Sequence, residues 1–162
     1  MVELWDAYDS QFNKIKNVSL IRGETIPDGM YHLVSEVIVK HNDGTYLLMQ
    51  RDLKKHFGGM WELTACGSAL KDETPMECAR RELKEETGIF SYNLQEIGRI
   101  VHDPHRTLYV IYLCIIDSDK NAIILQDGET INYKWIDKTE LLEMGSDVLA
   151  STRTLELVKK FY

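Results

Sequence analysis

Three glutamates, Glu82, Glu85 and Glu86, sit within one short stretch of the chain. On a helix advancing about 100° per residue they fall within roughly 100° of arc, on one face. Met76, Ala79 and Leu83 cluster on a neighbouring face. That face can pack on a sheet while the three carboxylates point into one space. Like charges at such spacings repel by about 0.2–0.5 kcal/mol per pair, so the cluster needs an offset. Hard divalent cations such as Mg²⁺ take oxygen ligands, which clustered carboxylates supply. The alternative is a solvated charged face screened by Arg80, Arg81 and Lys84.

The helix that must carry these acids is legible from its ends. Thr74 can cap it, Pro75 suits the first helical position, and Glu77 completes a capping box. Gly88 supplies the stop. The helix is expected over residues 75–87. Around it the pattern turns to strands. Residues 32–41 are rich in β-branched side chains, Asn42-Asp43-Gly44 is a hairpin turn, and 45–51 is the return strand. Residues 54–60 are basic and Gly-rich, hence a loop, and 61–66 reads as one short strand. Strands are expected over 94–101, 107–116 and 130–136, the first two joined by the Asp103-Pro104 turn. Two closing helices are expected over 138–144 and 147–161, the second presenting Val148, Leu149, Leu155 and Val158. Residues 1–30 read as an N-terminal extension of hairpin and loop. Strands on both sides of a central helix make the fold class α+β, and 162 residues suit a single domain.

Composition narrows the function. With 26 acidic and 19 basic side chains the net charge is −7, which disfavours binding a nucleic acid polymer. An anionic small molecule can still bind through a divalent cation. Three cysteines, Cys66, Cys78 and Cys114, make no disulfide framework and no zinc spacing. The longest apolar run, residues 108–116, is too short to span a membrane, and the acidic start lacks a signal-peptide pattern. A cytoplasmic protein is expected.

The wider string around the glutamates runs Gly67, five residues, Glu73, seven residues, then Arg81-Glu82-Leu83-Lys84-Glu85-Glu86-Thr87-Gly88-Ile89. It resembles the signature of the Nudix hydrolase family, G-x5-E-x7-R-E-U-x-E-E-x-G-U with U apolar, at every fixed position. The resemblance covers residues 67–89 directly. It implies an α/β/α sandwich, a mixed sheet with the signature helix on one face. It also implies hydrolysis of a nucleoside diphosphate linked to another group, or of a related small-molecule diphosphate. By the same resemblance Glu82, Glu85 and Glu86 bind Mg²⁺ or Mn²⁺, and the Gly67 backbone lies beside the metal. Arg81 and Glu73 form an ion pair that orients loop against helix, and Gly88 is structural. The chemistry is water attack at phosphorus, with Glu86 or Glu129 taking the proton. Glu129 lies in a turn just before a strand, where a merely exposed acid is an equal reading.

A second resemblance concerns the subgroup. Glu3-Leu4-Trp5-Asp6-Ala7-Tyr8-Asp9, Arg22-Gly23-Glu24 with Pro27, and Tyr31-His32-Leu33 are similar to the N-terminal region of isopentenyl-diphosphate isomerase-like Nudix proteins. So is Arg51, three residues, Lys55, followed by Gly59-Met60-Trp61. That branch grips the diphosphate with the arginine and the lysine, which makes Arg51 and Lys55 the anion-binding candidates. Cys66 falls where the isomerase carries its catalytic cysteine. Here, however, the string is Cys66-Gly67-Ser68 without the isomerase's histidine, and Thr25 replaces another. Those departures favour hydrolysis. An isomerase using Cys66 and a non-catalytic ligand sensor are the alternatives.

His102 and His105 flank a turn and are read as solvent-facing before they are read as ligands. Trp61, Tyr133 and Trp135 could stack a ring, though packing is the first reading. Trp5 and Tyr8 could cover a pocket or form a dimer contact. A homodimer is the default for an oligomer.

Overall fold

The structure is a computed structural model that describes residues 1–161. A small antiparallel hairpin, β1 (Leu4–Tyr8) and β2 (Lys14–Ile21), precedes the main sheet. That sheet contains β3 (His32–His41), β4 (Tyr46–Arg51), β5 (Trp61–Leu63), β6 (Ala65–Ser68), β7 (Leu94–His102), β8 (Thr107–Ile116) and β9 (Thr130–Ile136). Its order is β5-β4-β3-β8-β7, with β6 added on β3 and β9 on β4. β3 and β8 run parallel through ten paired positions, and the other pairings are antiparallel, so the sheet is mixed. The helices are α1 (Pro75–Thr87), α2 (Lys138–Glu143) and α3 (Leu155–Val158).

Alternation along β3 separates two cores. Leu33, Val37 and Val39 face α1 and meet its Ala79 and Leu83. Ile38 faces the other way and meets Leu141 of α2, Leu149 and Val158. β8 is buried on both faces, which explains why its sequence reads as a continuous apolar run. Helix, sheet and helix therefore form the expected sandwich.

Two boundaries differ from the sequence reading. The strand expected over 61–66 is broken at Thr64, whose φ is +62°. A β-branched residue adopts that conformation only when it is compensated. Here the buried hydroxyl donates to the Leu47 carbonyl at 2.8 Å and accepts the Val39 N–H at 3.1 Å. The helix expected over 147–161 is confined to Leu155–Val158. The N–H of Trp61 donates to the Val148 carbonyl and the N–H of Ala150 to the Trp61 carbonyl, both at 2.9 Å. The segment thus forms a turn over 146–148 and a single parallel bridge from Leu149 to Trp61 of β5 before α3 begins. Its apolar side chains still reach the core, because Leu149 and Val158 are 1% and 0% exposed. No helix among the described residues is long and apolar enough to cross a membrane.

Candidate active site

α1 begins and ends as its sequence requires. The Thr74 hydroxyl accepts the Glu77 N–H, the Glu77 carboxylate accepts the Thr74 N–H, and Gly88 closes the helix at φ +76°. This fixes the rotation of the helix, and its acidic face meets β6. Gly67 is the point of contact: a Cβ there would collide with the Glu82 carboxylate. Only glycine lets the strand backbone come so near the acid.

Arg81 organises the acidic side. Its Nε and Nη2 donate to the two oxygens of Glu73 at 2.7 and 2.9 Å, a bidentate pair. Nη2 also donates to the Ser68 carbonyl at 3.1 Å, tying the helix to the end of β6. Nη1 draws on Glu82 at 2.5 Å and on Glu85 at 3.3 Å. Among the described residues no group of three acids converges as a ready ligand set. Two of the three, Glu82 and Glu85, are instead engaged by Arg81.

Glu86 behaves differently. It is 5% exposed and one of its oxygens, Oε2, has no hydrogen-bond partner. Burial first, and the charge of Glu82 second, push its carboxyl up to about 8 from 4.5. Burial also raises Glu82. Two desolvated carboxylates, one with an orphaned oxygen, make a site that a divalent cation would relieve. The donors are hard oxygens, the class that suits Mg²⁺ or Mn²⁺.

This has a measurable consequence in protein freed of metal. A folded-state value above the unfolded one contributes stability below pH 4.5 that is lost as pH rises through about 8. Thermal melts in chelator are expected to show falling stability across that window. Glu86→Gln should flatten the decline, and restored Mg²⁺ should oppose it, because the cation favours the ionised form.

The same cleft, about 450 Å³ in volume, brings Arg51 and Lys55 opposite the acids, with Glu129 beside them. Both cations are already paired: Arg51 with Glu62 and the His56 carbonyl, Lys55 with Glu129. All ten residues singled out from the sequence thus lie in or around one site, except that Gly88 and Glu73 serve it from the helix end and the loop.

Other residues fall elsewhere. His102 and His105 lie with ring centroids 4.8 Å apart, outside the cleft lining. Trp61, Tyr133 and Trp135 pack at the two cores. Trp5 is buried and stacks on His32 at 4.4 Å, and Tyr8 is also buried. The N-terminal hairpin reaches the cleft with Glu3 and Arg22 instead, paired at 3.0 Å. In the sequence these two stand out only within the strings that resemble the isomerase-like N-terminal region, because hairpin ends carry no spacing that assigns them to a site. Cys66 lines the cleft, and burial drives its thiol strongly upward, so it is held as the protonated form.

The comparisons with known proteins bear directly on this arrangement. The NUDIX domain family model matches residues 30–155. The chain belongs to the Nudix family. A Nudix hydrolase of Listeria monocytogenes is 35% identical over 106 residues, 59% of this chain and 62% of that one. An isopentenyl-diphosphate Delta-isomerase of Dinoroseobacter shibae is 32% identical over 126 residues, 70% of this chain and 68% of the other. These relatives place the chain in the isomerase-like branch of the Nudix family. The chain spans 62% and 52% of the lengths of the two Listeria relatives it matches. Among solved structures, a Deinococcus radiodurans protein aligns over 99% of both chains with a TM-score of 0.78 at 18% identity. The NUDIX domain of Shewanella oneidensis NrtR, solved with ADP ribose, aligns over 80% of this chain and 87% of its own, with a TM-score of 0.62 at 19% identity. These likenesses agree with the Nudix sandwich described above.

Proposed function

We propose that this Nudix domain is a divalent-metal-dependent hydrolase of a small-molecule diphosphate. The observation that carries the reading is the opposition within one cleft. Glu86, with its orphaned buried oxygen, and Glu82, against Gly67, face the cations Arg51 and Lys55. Glu82, Glu85 and Glu86 would hold Mg²⁺ or Mn²⁺. Such an ion neutralises phosphate charge and makes water more acidic. Arg51 and Lys55 would grip the diphosphate oxygens, exchanging Glu62 and Glu129 for the ligand. Lys55 thereby releases Glu129, which can accept the attacking water's proton. The water oxygen bonds to phosphorus, the bridging P–O bond breaks, and the leaving phosphate keeps the electron pair. Arg81 and Glu73 fix the helix against the loop, and Gly67 and Gly88 shape the strand and the helix stop.

A panel of diphosphate compounds with Mg²⁺ or Mn²⁺, scored by release of phosphate or nucleotide, tests this. Turnover abolished by chelator is expected. Metal binding without turnover across the panel would overturn it.

One finding favours a second reading. Cys66 lines the cleft and an isomerase is among the relatives. An alkene isomerase would need Cys66 to exchange protons with carbon. Cys66→Ala separates the two: hydrolysis is expected to stay within about twofold of the parent, whereas an isomerase would lose its activity.

A further inference from the structure

Away from the cleft, apolar side chains gather on the surface at the C-terminal end of α1. Phe90, Tyr92, Ile115 and Ile124 are all exposed there, Phe90 at 59% and Ile124 at 67%. They form one strip. The Phe90 and Tyr92 rings meet edge to face with centroids 4.8 Å apart. Phe90 and Ile115 line a single open groove of about 460 Å³. Ile124 sits on the helix end: its N–H donates to the Thr87 carbonyl at 2.9 Å, and a Cβ at Gly88 would meet its side chain at 3.0 Å. Ile124 belongs to residues 117–129, which join β8 to β9 without helix or strand. Contiguous apolar surface of this kind marks a contact face, because solvent exposure gives it no stabilisation.

The charges beside the strip say what it fits. On the helix side, the Lys84 Nζ lies 5.8 Å from the Phe90 ring centroid and the Arg80 Cζ 4.9 Å from that of Tyr92. The other wall of the groove is the loop after β8, which carries Asp117 and Asp119. Lys84, Asp117 and Asp119 are exposed and make no ion pair among the described residues. A chain of net charge −7 repels its own copies at long range, so two copies can associate only where opposite charges meet locally. This patch carries both signs, with the apolar strip between them. A two-fold axis through the strip sets the cations of each copy against the acids of the other and covers both strips at once. A uniformly charged partner would match only half of that rim, and an anionic lipid surface would meet the two aspartates.

We infer that the strip of Phe90, Tyr92, Ile115 and Ile124 is the face on which a second copy of this chain docks, as a two-fold dimer with Lys84 of each copy against Asp117 and Asp119 of the other. Sedimentation velocity on the full chain, over about 1–200 μM, tests this in the range of weak specific contacts. A reversible monomer–dimer equilibrium is expected. Phe90→Glu and Ile124→Glu, made separately, should each weaken it by about a hundredfold, because each places an unpaired charge at the centre of the contact. Both side chains are exposed, so circular dichroism should report the parental fold. Lys84→Glu should weaken the dimer by about tenfold through like charges across the rim. The triple variant Lys84→Glu, Asp117→Lys, Asp119→Lys should recover most of that loss, which a merely structural effect of Lys84→Glu would not allow. A monomer at every concentration, open assemblies larger than a dimer, or a dimer indifferent to Phe90→Glu and Ile124→Glu would overturn the assignment. A triple variant no stronger than Lys84→Glu would do the same. None of these outcomes bears on the diphosphate reading, which rests on the cleft.

Discussion

Glu86→Gln is expected to lower metal-dependent turnover by about a thousandfold, within the range that removal of an essential acid–base or metal-binding carboxylate produces. The change is nearly isosteric, so the fold should survive it. What is lost is the charge of a side chain that is 5% exposed and carries an orphaned oxygen. Metal affinity, measured by titration calorimetry, should fall with turnover. Glu129→Gln should behave differently. Its partner is Lys55, not the acidic face of α1. Turnover should fall while metal affinity holds. Steady-state kinetics beside metal titration on both variants distinguish a ligand from a base. Parental rates in Glu86→Gln would remove the acidic face of α1 from the reaction.

The second large effect concerns stability. Arg153→Leu should destabilise the protein by about 3 kcal/mol or more, because it leaves Glu36 buried without its counter-charge. For a chain of this length that corresponds to a melting temperature lower by roughly 6–12 °C. Burial already raises the Glu36 carboxyl, with Arg153 working against that rise. Once the arginine is gone, the acid is easier to protonate, and the deficit should shrink as pH falls. A Glu36→Leu, Arg153→Leu double variant should recover much of the loss, since two apolar groups leave no uncompensated charge. Thermal melts of the single and double variants at two pH values check both statements. The pair also matters to architecture, because Arg153 fastens the C-terminal segment over β3.

The sequence by itself determined the parts whose physics is local. α1 could be placed to the residue, since capping box, Pro75 and Gly88 act within one helical turn of each end. β3, β8 and β9 followed from runs of β-branched and apolar residues, and the Gly67-to-Gly88 string pointed to Glu82, Glu85, Glu86 and the Arg81–Glu73 pair. Only the tertiary structure decided the rest. Residues 148–150 fall within an apolar spacing that fits a helix, yet backbone bonds to Trp61 pin them against β5. Such competition is decided by a strand almost ninety residues earlier. Thr64 breaks a strand because its hydroxyl finds Leu47 and Val39 from other strands. The opposition of Lys55 to Glu129 joins residues 74 positions apart, and the Glu36–Arg153–Tyr109 stack draws on two strands and the C-terminal segment. No spacing encodes those encounters. They exist because β9 lies beside β4 and β8 beside β3, and the register between strands decides which side chains meet.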